Sequence, residues 1–558
     1  MELARVLIAV LASGSLMGLL GIASAQASEP IWRRRPALLL PCAILGAGLL
    51  MWVEFLVTWL APPAGPVVAQ IAAGLALAYC VAKRSWRLLS SAGPIALATA
   101  GIALTYLGLT YLWRSDLAAF ALASTRFVVN RGSMPADHEI PMLLADRIGS
   151  GAPTHLLIGD WNGSDRPPLQ SGWILLNDAL FSRIGLDADV LPFAAGIVAQ
   201  LLWIPAICAL LRVIGVRERA ALVAILFTAA TGTLLFNTIY TWPKLLSAAL
   251  AACAMAVLIE AARRRKMPVL SSALAATLFT LGMLAHAAAA FAVPAVAVLV
   301  GLTLRARSWG TKALGISVAA ASAIAIYGPW IAFQWLYDPP GDRLLKWHLA
   351  GVIPIDGRSS LEALVDSYSR ISFGEYLAAR WQNLTTILNL NLGVGLGSLS
   401  EAAVGVRRAH EFRETSIALS LAAPILVLMA TALLLHRLRF GDVPRVWRHT
   451  GWLVLLMLPC LVFWSAALFS GGSSVVHNGS HLWILVFLAA PAAWLASVRP
   501  WLAVVAWVLQ LALMLAVYVP FFGVSALRLS GIATLCAGLA ILGGVAWGPL
   551  RGPVRRPR

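Results

Sequence analysis

Apolar residues run along this chain in blocks of about twenty, broken by short polar stretches and twice by long ones. Blocks of that length match the roughly 30 Å hydrocarbon thickness of a bilayer at about 1.5 Å of rise per helical residue. Read in order, they predict about fifteen helices, over 4–24, 36–60, 66–82, 92–112, 190–211, 220–238, 244–262, 268–285, 287–304, 313–335, 416–435, 451–470, 481–498, 501–520 and 530–548. The expected fold class is an all-α polytopic membrane protein. The two long polar stretches, 113–189 and 336–415, carry Trp161, Trp173, Trp347 and Trp381 among apolar residues at helical spacing. They are expected to form short helices on the membrane surface that pack together as one external cap. Segment 172–184 is too short and too polar to span, and is expected to be amphipathic, with Trp173 at the interface. The chain therefore divides into 1–90, a set of N-terminal spans; 91–335, a core that includes loop 113–189; the second loop, 336–415; and the C-terminal spans, 416–558. No repeat of fixed period is evident.

Composition agrees with the block pattern: 60% of the 558 residues are hydrophobic and 12% charged, where a soluble chain carries about a quarter. The net charge of +18 does not point to nucleic acid, because the basic residues cluster in alternate short loops. The clusters at Arg33–Arg35, Lys83–Arg87, Arg212–Arg219, Arg263–Lys266, Arg305–Lys312, Arg437–Arg448, Arg499 and Arg551–Arg558 hold 25 of the 42 Lys and Arg. All fall on one side, which the positive-inside rule makes cytoplasmic. Both long polar loops are then external, and each holds nine of the 24 Asp and Glu. The six cysteines all lie within apolar blocks, with neither disulfide nor metal spacing, and read as core residues. The first block resembles a signal peptide, but the arginines that follow at once favour an uncleaved first span.

The first external loop carries the most specific pattern. After a span ending near Trp113 come Asp137-His138-Glu139, a helical stretch Ile140–Ile148, Gly159-Asp160-Trp161 and Asp165-Arg166-Pro167-Pro168-Leu169, which leads into an aromatic helix. This resembles the polyprenol-phosphate-sugar-dependent glycosyltransferases of the GT-C fold, a group that includes protein O-mannosyltransferases and lipid A aminoarabinose transferases. Those proteins have an acidic residue early in the first external loop, and many bacterial members have Lys-Pro-Pro-Leu where this chain has Arg166 in place of Lys. The resemblance covers about 92–310, with three additional helices ahead of it. It implies transfer of a sugar from a polyprenyl phosphate to a cell-envelope acceptor (glycan, lipid or protein) at the periplasmic face of a bacterial inner membrane.

That chemistry accounts for the residue types. The acceptor hydroxyl loses a proton as it attacks the anomeric carbon, and a placed carboxylate takes it, contributing roughly 10²–10⁴-fold. Asp137 and Glu139 are the candidates. The leaving lipid phosphate gains charge that Arg or Lys stabilises. Arg166 is the motif-based candidate. Lys244 is a lone lysine in a short external turn, Asn237–Lys244, and Arg343, Lys346 and His348 follow Pro339-Pro340-Gly341-Asp342, with Arg343 and Lys346 on one helical face. Asp160, Asp165, Tyr337, His477 and His481 are candidate substrate contacts, while His286 reads as a packing residue and Glu54 as an acid near the external end of a span. No Walker, dinucleotide or zinc-finger motif is found. No motif requires a cofactor, and a divalent metal at the carboxylates stays open. A lipid-linked glycan ligase or polymerase would share these substrates. A transporter or flippase would instead place charges or broken helices at mid-membrane.

Overall fold

A computed structural model describes residues 2–112, 138–186, 190–264, 268–388, 420–469, 480–519 and 527–551. Among these residues the chain is helical, apart from an isolated bridge between Ile158 and Trp161. The helices that precede the first loop are α1 (Glu2–Ala27), α2 (Leu39–Leu60), α3 (Gly65–Ala82) and α4 (Trp86–Thr110). The first loop supplies α5 (Ile140–Ser150) and α6 (Leu169–Phe181). There follow α7 (Leu191–Gln200), α8 (Trp203–Val213), α9 (Glu218–Ala229), α10 (Gly232–Ile239), α11 (Lys244–Arg264), α12 (Pro268–Ala285), α13 (Val293–Leu304) and α14 (Trp309–Ala332). The second loop supplies α15 (Arg343–Ala350), α16 (Ser360–Ser369) and α17 (Phe373–Leu388). The last set is α18 (Ala422–Phe440), α19 (Arg445–Ala467), α20 (Leu482–Val498), α21 (Pro500–Tyr518) and α22 (Leu529–Arg551).

Twelve stretches among the described residues are long and apolar enough to cross a membrane, and the architecture is that of a polytopic membrane protein. Helices occur at all fifteen expected positions, but three of these differ from a plain span. The expected 220–238 helix is broken, with α9 and α10 bent by 78° at Ala230-Thr231. The segments at Leu482–Val498 and Pro500–Ala516 are apolar but short.

Burial separates a central set of helices from a lipid-facing shell. The apolar window of α11 is 94% buried and that of α14 only 11%, with Ile324, Val427 and Val462 exposed on the outer helices. Side chains too apolar for water cover the outside, as a hydrocarbon solvent allows. Small residues let helices approach closely. A Cβ on Gly108 would come within 2.5 Å of the Leu535 backbone nitrogen, and one on Gly538 within 2.6 Å of that of Thr105, so α4 and α22 touch backbone to backbone.

Helix α11 sets the axis of the molecule. Its 21 residues span about 30 Å. Lys244 stands at one end, and Glu260, Arg263 and Arg264 at the other, where they line a cavity of about 360 Å³ with Arg445 and His449. Arg264 pairs there with Glu260. Of the six cysteines, Cys42, Cys208, Cys253 and Cys460 are buried as expected, whereas Cys80 is half-buried and Cys536 exposed; none forms a disulfide.

One expectation is corrected here. Helix α6 forms where the 172–184 segment was expected to be helical, but Trp173 is buried and not at the interface. Its indole N–H donates to the Ala195 carbonyl (2.9 Å). Gly172 lies so close to α2 that a Cβ would sit 1.9 Å from the Met51 carbonyl oxygen. That approach draws the whole helix into protein, and Trp173 with it.

Candidate functional site

At the Lys244 end of α11 the chain makes a tight turn between two helices. Lys244 N donates to the Trp242 carbonyl (2.6 Å), and Tyr240 N to that of Phe236 (2.8 Å). Two buried glutamines hold this turn. Gln170 Nε2 donates to the Thr241 carbonyl (2.5 Å) and Gln200 Nε2 to Gln170 Oε1 (2.8 Å). Gln200 Oε1 then accepts from the backbone N–H groups of Leu245 (2.9 Å) and Leu246 (3.2 Å), two donors at the start of α11. The turn thereby presents Tyr240, Trp242 and Lys244 together.

Around it, cations and indoles alternate. The Lys244 ammonium lies 4.0 Å from the Trp242 ring centroid and 5.8 Å from that of Tyr240. The Arg166 guanidinium lies 5.3 Å from the same Trp242 ring and 4.5 Å from Trp161. Arg343 takes the next place, 3.9 Å from Trp161. Lys244 and Arg166 are both buried. Cation–π attraction of about 2 kcal/mol or more for desolvated groups stabilises each such contact.

Three histidines belong to this cluster, His286 and His481 buried and His348 half-buried. Burial, with the charges of Lys244, Arg166 and His348 behind it, holds His286 well below the ordinary imidazole range. Burial and then Arg166 bring His348 down to about 4. His286 and His348 are neutral near pH 7, so the fixed positive charge beside Trp242 is on Arg166 and Lys244. His286 Nδ1 accepts from Ala288 N (3.2 Å) and lies 3.3 Å from the Ser480 hydroxyl. His481 is boxed by Trp464, Phe291 and Trp483, and neither ring nitrogen has a hydrogen-bond partner among the described residues. His348 is stacked on Trp347, which packs against Trp161. The sequence offered His286 only as a packing residue. The break between 285 and 287 was legible in the sequence; the structure adds that His286 caps the short helix Ala287–Ala292 with its side chain.

Glu139 is at the start of α5, 39% exposed at its side chain, with Oε1 3.7 Å from His138 Nε2. His138 is buried, 4.7 Å from the Tyr240 ring. This connects the acidic loop to the turn that carries Lys244. Pro141 in the first turn and Gly151 at φ +67° after the last fix the ends of α5. Asp137 and His477, the other candidates from these loops, lie outside the described residues.

Several expected ligand contacts are committed to the protein itself. Arg343 donates to the Asp160 carboxylate (2.7 Å) and carbonyl (2.8 Å), and this pairing holds Asp160 below the usual carboxylate range. Lys346 pairs with Asp342 (3.1 Å) and donates to the Asp356 carbonyl (2.9 Å). Arg343 and Lys346 therefore brace the loops instead of forming a free clamp. Asp165 closes its own turn by accepting from Asn162 N (2.9 Å). Its burial raises its pKa against the opposing pull of that hydrogen bond, Arg166 and Arg343. Tyr337 packs on Trp59 and Phe333 at the edge of α2. Sequence reasoning overlooked Asp338, which is fully buried and accepts from Ser164 N (2.8 Å) and pairs with His155 (2.6 Å). With Gln334 donating to the Ser164 carbonyl (3.0 Å), it ties the second loop to the turn preceding Arg166. Nothing local marks Asp338 out among nine acids in its loop.

Among the described residues, no three His, Cys, Asp or Glu side chains are grouped to hold a metal ion. Comparison with known protein families, curated proteins and solved structures finds no match to the chain.

Proposed function

We propose that this protein is a membrane glycosyltransferase that moves a sugar from a polyprenyl phosphate to a cell-envelope acceptor at the external face of a bacterial inner membrane. The observation that carries the reading is the pair of buried cations, Arg166 and Lys244, 5.3 and 4.0 Å from the centroid of one indole, that of Trp242, at the end of α11. The other end of that helix bears the arginine clusters, which the positive-inside rule assigns to the cytoplasm. An anion between two desolvated cations gains strongly, and a guanidinium offers a phosphate two parallel donors. The neutral imidazole of His348 adds no repulsion, and the His481 ring nitrogens add hydrogen-bonding capacity.

In this reading the lipid phosphate binds at Arg166 and Lys244, and the base is Asp137 or Glu139 of the same loop. The acceptor oxygen forms its bond to the anomeric carbon while the carboxylate takes its proton. The bond from that carbon to the phosphate oxygen breaks, and the leaving phosphate keeps the electron pair. Direct displacement of this kind inverts the anomeric centre. The helices of the two loops form the external cap over this chemistry, and the fifteen helices, including the broken pair and the two short ones, are the membrane crossings.

The test is transfer by the full-length protein in lipid bilayers, with radiolabelled polyprenyl-phosphate sugars and a panel of glycan, lipid and protein acceptors. Arg166→Gln is expected to weaken donor use by at least tenfold, and Glu139→Gln or Asp137→Asn to abolish turnover with donor binding retained. Normal turnover in all three would refute the assignment. The 78° break between α9 and α10 favours a second reading, a lipid-linked-sugar transporter, because discontinuous helices line such substrate paths. Labelled lipid crossing the bilayer with no sugar transferred would establish that reading instead.

A further inference from the structure

A second polar site is lined by the later turns of α6, the helix whose first turn carries Gln170. Glu54, one turn and a half from the end of α2, is 2% exposed. Its Oε1 accepts from the Thr58 hydroxyl (3.3 Å), while its Oε2 is buried with no hydrogen-bond partner among the described residues. Gly65, at the start of α3, leaves room for this carboxylate, because a Cβ there would come within 3.1 Å of Oε1 and 2.2 Å of the Thr58 hydroxyl oxygen.

Glu54 lines a cavity of about 510 Å³ between α2, α3, α5 and α6, within the range of small-molecule sites. Asp146 of α5 and Asp178 of α6 line the same cavity and are exposed. Partial burial and then the Asp146 charge push the Asp178 carboxyl above its ordinary range. No Lys, Arg or His lines the cavity, and neither aspartate forms an ion pair among the described residues. Much of the remaining wall is apolar, with Met142, Ile174, Leu175 and Leu191. A carboxylate oxygen buried without a partner in a membrane protein is costly and marks a site that another group completes. The acids are not grouped to hold a metal ion among the described residues, and the apolar wall beside Glu54 suits a ligand with an aliphatic body.

We propose that this cavity binds an organic ammonium ion, with its cationic head at Glu54 and its aliphatic body against Ile174 and Leu175. Asp146 and Asp178 draw the cation in. The inference is independent of the glycosyltransferase reading, since neither Arg166 nor Lys244 lines this cavity. The ammonium could belong to a soluble amine or to an aminophospholipid headgroup, and the experiment separates them.

The full-length protein is reconstituted in nanodiscs of phosphatidylglycerol, which carries no amine, and titrated with radiolabelled hexylamine, with empty nanodiscs as the blank. Saturable binding is expected that hexanol does not displace. Displacement on adding phosphatidylethanolamine to the discs identifies the headgroup as the ligand, and its failure to displace identifies a soluble amine. Glu54→Gln, which keeps shape and removes charge, is expected to weaken binding at least tenfold. Asp178→Asn, at an exposed position that leaves folding intact, is expected to weaken it severalfold and carries the test if Glu54→Gln does not fold. Absence of saturable binding in the parent protein, or parent-like affinity in the folded variants, overturns the proposal.

Discussion

Removing the Asp338 carboxylate should loosen the turn that precedes Arg166, and the structure sets the size of the effect. The carboxylate is fully buried. It accepts a 2.8 Å hydrogen bond from Ser164 N and pairs at 2.6 Å with His155, whose side chain is 50% exposed. A hydrogen bond to a charged group contributes about 1.5–3 kcal/mol. Solvent screening reduces the half-exposed histidine pair to under about 1 kcal/mol. Asp338→Ala should therefore cost about 2–4 kcal/mol locally, a roughly 30- to 1,000-fold rise in the open population of the turn. Asp338→Asn keeps an oxygen for Ser164 N and should cost about 1 kcal/mol. Hydrogen exchange read by mass spectrometry over 154–166 in the full-length protein measures this directly, with peptides from α11 as the internal reference. Exchange in Asp338→Ala that matches the parent over 154–166 would show that the two loops are not held by this residue. Equal acceleration in the Ala and Asn variants would show that the charge, and not the Ser164 bond, is what matters.

Two other predictions concern the site and its supports. His348 titrates near 4 when folded and about 6.5 when unfolded, so the unfolded chain binds more protons between those values. Stability should accordingly fall as pH drops from about 6.5 to 4 and level off below, with a contribution from His348 of about 3 kcal/mol. Thermal midpoints across that window should decline less in His348→Gln than in the parent, and identical declines would count against a neutral imidazole. Gly172→Ala places a Cβ 1.9 Å from the Met51 carbonyl oxygen, which no rotamer change relieves, so α2 and α6 must separate at a cost of about 3 kcal/mol or more. A variant with the parent's thermal midpoint would mean that the two helices do not cross this closely.

The helices were legible in the sequence because membrane solvation acts segment by segment. A block such as 244–262 must be helical in hydrocarbon whatever its neighbours do, and α11 begins at Lys244 and ends at Arg264. The ends of α5 were equally local, since Pro141 and Gly151 restrict backbone angles by themselves. Arg166 stood out through its motif and Lys244 as a lone lysine in a turn. That they share the ring of Trp242 depends on how α6, α7 and α11 meet, through the Gln170–Gln200 pair that no local pattern encodes. The same limit hid the partners of Arg343 and Lys346, whose spacing reads as a clamp until Asp160 and Asp342 are seen beside them. It also misplaced Trp173, because amphipathic spacing does not distinguish a helix lying on lipid from one drawn against Met51 and Ala195. Solvent preference belongs to each residue and can be read along the chain. The partner of a buried charge is decided by which helix faces come together, and that was settled only by the tertiary structure.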